Sequence, residues 1–222
     1  MSFEAFIAIG TALMIAVMLV AGRWLNVKAW QSAASAVVLT AAGIAGAKLM
    51  AFIEAGSWGG RSFFGALFFA PLLMTPLALA LRVSVGDMLD MCAPAECVML
   101  ALLKVQCHLE GCCYGRVQRI SMTGQAIRFP SQLVECANAA LIMLLLLWII
   151  RRGRARGRVY AWYMVIYGVC RFALNWMRET APFVWVLPAG NFWALVSLAI
   201  GGAILVWSAL HGQADRGRGQ AV

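Results

Sequence analysis

The sequence predicts an all-α integral membrane protein, a bundle of seven transmembrane helices with the N-terminus outside and the C-terminus inside. Three observations carry this reading: bulk composition, the length of the uncharged runs, and the placement of Lys and Arg. Of the 222 residues, 63% are hydrophobic and 12% charged, with a mean hydropathy of +0.83. Soluble domains hold about 45–50% apolar and about 25% charged residues, so a water-soluble globule is excluded.

The first span is read over residues 5–22, since no charge lies between Glu4 and Arg23. A secretory signal carries positive residues ahead of its apolar run and a small-x-small site behind it. Here Glu4 precedes the run and Arg23 and Lys28 follow it, so the helix is expected to be retained. The second span is read over 33–53. The third, 63–81, contains Pro71 and Pro76, breaks that survive where neighbouring helices satisfy the freed carbonyls. The fourth, 89–107, opens into a polar stretch. The fifth, 132–150, is interrupted only by Glu135 and Asn138 from Leu133 onward. The sixth and seventh are read over 159–177 and 190–210. Such lengths approach the roughly 20 residues needed to cross about 30 Å of hydrocarbon. Residues 1–210 are thus expected to form one transmembrane domain and 211–222 a short basic cytoplasmic tail. Connectors are short, and no internal repeat or low-complexity tract is present.

Orientation follows from positive charge, which is retained on the cytoplasmic side. The densest cluster, Arg151, Arg152, Arg154, Arg156 and Arg158, lies between spans five and six. Placing it inside puts Arg23, Lys28, Arg82, Arg216 and Arg218 on the same side and turns the stretch 108–131 outward. That outer stretch still holds Arg116, Arg119 and Arg128, with Lys104 at its edge. Positive charge kept against the orientation rule points to an anionic partner. The net charge of +9 would suggest nucleic acid in a soluble protein, but no basic stripe with interleaved aromatics is present. Anchoring to anionic lipid heads is the simpler reading, and no nucleic-acid partner is expected.

Ionisable groups at membrane depth are functional candidates. One set is the run from Lys104 to Arg116, containing Cys107, His108, Glu110, Gly111, Cys112, Cys113, Tyr114 and Gly115. The glycines permit tight turns and close approach of a ligand. His108 beside Glu110 offers a base near neutral pH, or else an interfacial hydrogen-bonding group. The second set is Arg128 to Glu135, where Pro130 suits the start of a helix and Gln132 and Glu135 share a face. The third is Arg171, Asn175 and Arg178, whose i, i+4, i+7 spacing turns two guanidiniums and an amide to one side of span six. Guanidinium forks suit a phospholipid phosphate, although Arg178 also suits interfacial snorkelling and Glu135 suits pairing with an Arg. The seven cysteines are read as packing residues rather than a disulfide framework, since most lie within spans. Cys107-His108 and the adjacent Cys112-Cys113 do not form the usual zinc knuckle, so no metal or other cofactor is expected.

These residues resemble a family. The run Gly111-Cys-Cys-Tyr-Gly-Arg116, preceded by Lys104 and Cys107, is similar to the signature G-R-x-G-C-F-x-x-G-C-C-Y-G-[KR] of prolipoprotein diacylglyceryl transferases and their cysteine-bearing relatives. Gly46-Ala-Lys-Leu49 resembles the family's G-A-R-L, and Gly59-Gly-Arg-Ser-Phe-Phe-Gly-Ala-Leu67 its F-[HY]-G-G-L. Pro130-Ser-Gln-Leu-Val-Glu135 is similar to H-P-[ST]-Q-L-Y-E. Tyr167-Gly-Val-Cys-Arg-Phe172, with Asn175 and Arg178, is similar to Y-G-x-x-R-F-x-x-E-x-x-R. The five stretches run in register from about residue 46 to 178.

The resemblance implies seven spans, an outward N-terminus and a monomer in the bacterial cytoplasmic (inner) membrane. It implies transfer of a diacylglyceryl group from phosphatidylglycerol to the thiol of a prolipoprotein cysteine, forming a thioether. Phosphate clamping is then expected from Lys104, Arg116, Arg171 and Arg178, orientation from Gln132 and Glu135, and proton traffic through His108 and Glu110. Gly111, Tyr114, Gly115 and Asn175 are expected to contact substrate. The sequence departs from the family where chemistry is handled. Lys104 stands for an arginine, Cys107 and Cys112 for an Asn and a Glu, Phe64 for a His or Tyr, Asn175 for a Glu, and the first span lacks the family's Tyr. A different donor or acceptor, or lipid binding without chemistry, therefore stands beside the transferase reading.

Overall fold

The computed structural model describes residues 3–219 except 57, 61, 121–125, 180–182 and 185. Its helices are α1 (Phe3–Leu25), α2 (Ala29–Ala55), α3 (Phe63–Ala80), α4 (Val85–Leu109), α5 (Ser131–Arg152), α6 (Val159–Asn175) and α7 (Ala189–Gly219). Five of these, α1, α2, α3, α5 and α7, are long and apolar enough to cross a membrane. The other two differ for a physical reason: α4 carries Asp87, Asp90, Glu96 and Lys104, and α6 has only 17 residues with Arg171 near its end. They hold the charges that the remaining helices enclose. Arg61, in one of the family-like stretches, and the side chains of Arg216 and Arg218 lie outside the described residues.

Polarity is distributed inside out relative to a soluble domain. Leu72, Leu79, Leu141 and Trp148 stand exposed, whereas Asp90, Gln132 and Asn191 are almost wholly buried. Such helices associate through close packing and hydrogen bonds, because water does not drive them together in lipid. At the α2–α3 crossing, a Cβ added to Gly65 would lie 1.9 Å from the Gly46 carbonyl oxygen, so only glycine admits this approach. The helix α3 continues through both prolines. The carbonyl of Leu67, whose i+4 partner Pro71 has no N–H, instead accepts from the Tyr160 hydroxyl of α6 at 2.7 Å. This is the relief that neighbouring helices were expected to provide.

At one end of the bundle, Arg156 in the α5–α6 loop donates to Leu25 O at 2.9 Å and to both Asp87 oxygens at 2.7 and 2.8 Å. Gln31 donates to Leu81 O at 2.9 Å. These contacts gather the end of α1, the start of α2, the end of α3 and the start of α4. Asp90 accepts the backbone N–H groups of Gly157, Val159 and Tyr160, satisfying donors that the start of α6 leaves free. The proximity of Asp87 raises the Arg156 pKa further above its usual value.

The opposite end carries two short ribbons that the all-helical expectation did not contain. Strand β1 (Val117–Ile120) pairs antiparallel with β2 (Ala126–Arg128), in register Val117↔Arg128, with a bulge before Arg119. Strand β3 (Phe183–Val184) pairs with β4 (Leu187–Pro188). A bridge between Gly115 and Arg178 ties the α4–α5 connector to the segment after α6.

Candidate functional site

Glu135 lies in the first two turns of α5 and is the point on which charges from three other segments converge. Its Oε2 lies 2.7 Å from Lys104 Nζ on α4 and 2.7 Å from Arg171 Nη1 on α6. Its Oε1 lies 3.5 Å from Arg178 Nε, just beyond α6. The side chains are only 7–16% exposed, so three cations meet one carboxylate out of bulk water. Arg171 Nε is buried with no hydrogen-bond partner among the described residues. An unpaired guanidinium N–H in such a setting is costly, and an anionic oxygen is the group that would relieve it.

Lys104, Arg171 and Arg178 all face a cavity of about 500 Å³. Part of its wall is apolar, with Met14, Leu39, Phe64, Met99 and Leu100, and three acids, Glu54, Glu96 and Glu110, line it as well. Phe64 packs edge-on against Tyr167, with ring centroids 5.7 Å apart. A charged head joined to an apolar wall is the shape of an amphiphile.

The α4–α5 connector closes the charged head. Gln132 Nε2 donates to Cys112 O at 2.6 Å, and Ser131 Oγ donates to Cys113 O at 2.8 Å. Gln132 and Ser131 thus fix the connector against α5. The Sγ atoms of Cys107, Cys112 and Cys113 all lie within 4.8 Å of one another. The Cys107 thiol and the positive charges of Lys104 and Arg178 draw the Cys113 thiol pKa down to about 5, against the opposing effect of burial. Burial pushes that of Cys112 upward.

Several expectations need correction. His108 is exposed and is not part of the cavity wall, because the last turn of α4 presents Cys107 and Gln106 inward instead. Glu110 does reach the wall, where its Oε1 accepts from Gln106 at 2.7 Å. Arg116 donates through Nε to Arg178 O at 3.3 Å and so braces the backbone rather than joining the three cations. The helical spacing expected for Arg171, Asn175 and Arg178 fails because α6 ends at Asn175. Asn175 is turned into α7, where its amide donates to Asn191 Oδ1, and Arg178 reaches Glu135 from a non-helical segment. The missing acid at position 175 therefore does not leave Arg171 without a counter-ion, since Glu135 supplies one.

The two glycines serve the chain more than a ligand. Gly111 has φ +67°, and a Cβ there would meet the Tyr114 hydroxyl at 2.8 Å. A Cβ on Gly115 would lie 2.5 Å from Phe129 O, because three backbone segments meet there. Tyr114 is half exposed, with the Arg128 guanidinium 5.6 Å from its ring centroid. Arg128 in turn pairs with Glu179.

Sequence reasoning passed over Glu96 and named Cys107, Cys112 and Cys113 without bringing them together. Glu96 is 3% exposed and accepts from the Tyr160 hydroxyl at 3.0 Å. Its signal was present, as an acid in mid-span beside Pro94. The three thiols were named in the sequence and read against a metal site, because adjacent cysteines do not reveal which way each sulfur points.

Comparison with known proteins identifies the family. The family model for prolipoprotein diacylglyceryl transferase matches residues 3–207. The chain belongs to the prolipoprotein diacylglyceryl transferase family. Its relatives include proteins named phosphatidylglycerol–prolipoprotein diacylglyceryl transferase from three bacteria. The Clostridium tetani protein is 27% identical over 125 residues, covering 51% of this chain and 50% of its own length. The Geobacter sulfurreducens protein is 32% identical over 128 residues, covering 54% and 49%. The Teredinibacter turnerae protein is 29% identical over 167 residues, covering 69% and 58%. The chain thus spans about half the length of the curated relatives it matches.

Proposed function

We propose that the chain is a membrane-embedded transferase that moves a diacylglyceryl group from phosphatidylglycerol to a prolipoprotein cysteine thiol. The observation that carries this reading is the meeting of Lys104, Arg171 and Arg178 on Glu135 beside a cavity whose wall is partly apolar and also holds Glu54, Glu96 and Glu110. Names of the relatives supply the donor and acceptor. In this reading the protein is a monomeric seven-span bundle of the bacterial inner membrane, one domain to residue 210 with a cytoplasmic tail. Its N-terminus and charged head face outward, a reading that the Arg-rich loop between α5 and α6 supports.

The lipid phosphate sits against Arg171 Nε, Lys104 and Arg178, and the acyl chains follow the apolar wall. The acceptor sulfur attacks the glyceryl carbon joined to the phosphate. That carbon–oxygen bond breaks, and its electron pair leaves with glycerol phosphate. The negative charge gathered on the departing phosphate is what the fixed cations stabilise. Glu110, at the cavity wall, receives the thiol proton, while Glu135 holds the cations in place.

Purified protein incubated with labelled phosphatidylglycerol and a lipobox peptide is expected to give lipidated peptide. A second reading, a changed donor or acceptor, draws on the placement of Cys107, Cys112 and Phe64 at this cavity. Lipid turnover without lipidated peptide would favour it. Headgroup binding with no conversion of any lipid would reduce the protein to lipid binding.

A further inference from the structure

We propose that Cys107, Cys112 and Cys113 form a three-thiolate site for a thiophilic divalent cation of the zinc type, with its fourth coordination position open to the cavity. The proposal concerns metal binding and does not rest on the transferase reading. Zinc–thiolate bonds of about 2.3 Å place tetrahedral sulfur neighbours about 3.8 Å apart. The three sulfur atoms already lie within 4.8 Å of one another, so small side-chain rotations complete the set.

The backbone prepares this arrangement. Cys112 N–H donates to Cys107 O at 3.0 Å, folding the connector back over the end of α4. Cys113 adopts φ +58°, a left-handed conformation that glycine or asparagine usually occupies. Such strain in a cysteine, held by the Ser131 and Gln132 hydrogen bonds, turns the Cys113 sulfur back toward Cys107. Charge also agrees. Three thiolates around a divalent cation carry one net negative charge, and the cavity that they border holds both cations, Lys104, Arg171 and Arg178, and acids, Glu54, Glu96 and Glu110, so a singly charged site is tolerated there. On binding, each thiol that is still protonated releases its proton to solvent and forms one metal–sulfur bond. Soft thiolate donors select zinc-like ions over magnesium or calcium. Three protein ligands with an open position differ from a closed structural site, and a ligand in the cavity can reach the metal.

The test is titration of the full chain in detergent, reduced with a phosphine and stripped by a chelator. One Zn(II) is expected to bind per chain, and Co(II) in its place is expected to show intense thiolate-to-metal charge transfer. Cys107→Ser or Cys113→Ser should weaken zinc binding at least about tenfold. Cys136→Ser and Cys170→Ser, outside the cluster, should leave it unchanged. Should the serine variants not fold, alkylation of the wild-type chain decides, since bound Zn(II) should protect Cys107, Cys112 and Cys113 alone. Absence of binding, a Co(II) spectrum without the charge-transfer band, or equal alkylation with and without zinc would overturn the proposal. None of these readouts uses transfer activity, so failure of the metal site and failure of the transferase reading are separate results.

Discussion

Asp90 and Glu135 are both buried carboxylates on helices, yet the two ends of the bundle use them in opposite ways. Asp90 accepts three backbone N–H groups at the start of α6, and beside it Asp87 pairs with Arg156. Those acids are consumed by the chain itself. Glu135 instead meets three full positive charges, and Arg171 still keeps an unpartnered N–H. The cavity beside Glu135 also holds Glu54, Glu96 and Glu110, so what stays unmet among the described residues is that one guanidinium N–H rather than a surplus of positive charge. A low-dielectric site tolerates this poorly, and an anion entering the cavity supplies the missing acceptor. Fully partnered acids therefore mark the end that holds the fold, and a guanidinium N–H without a partner among the described residues marks the end that binds.

The largest effect is expected from Glu135→Gln, which leaves three cations around a neutral amide. Breaking a buried ion pair costs about 3–5 kcal/mol, so thermal unfolding in detergent should shift strongly downward. An unchanged midpoint would show that the cluster is not a unit. Next comes Arg171→Lys, which retains the charge but removes the guanidinium fork and its unpartnered Nε. Loss of one charge-assisted hydrogen bond, about 1.5 kcal/mol, should weaken anionic lipid binding about tenfold. Asp90→Asn at the other end is expected to cost about 1–2 kcal/mol of stability, in the range of other helix-start caps, while leaving lipid affinity unchanged. Should lipid affinity fall as far as in Arg171→Lys, the separation of roles between the two ends would fail. Arg156→Ala should give the smallest change, a melting shift below that of Asp90→Asn and no change in lipid binding, because its guanidinium lies in an open loop.

Much of the fold was legible because five of the helices carry the long apolar signal that lipid imposes. The first six read spans fall within a few residues of the observed helices, whereas the seventh, read to 210, runs on to Gly219; Gly56 and Gly153, with φ +66° and +67°, end α2 and α5 as glycine commonly does. The third span was readable despite Pro71 and Pro76, but its reason, the Tyr160 hydroxyl on Leu67 O, lies 93 residues away. Lys104, Glu135, Arg171 and Arg178 were nameable as costly charges, whereas their convergence on one carboxylate was not. His108 failed as a cavity base because sequence proximity to Glu110 does not decide which side of a helix end a ring occupies.

Sequence alone determined where the chain is apolar enough to form membrane-length helices, where they stop, and which charged residues need a partner. Only tertiary structure decided which partner each one found. The reason is that hydropathy and helix punctuation act over a few neighbouring residues. Ion pairing, sulfur clustering and proline relief act over a few ångströms between segments as far apart as α4 and α6.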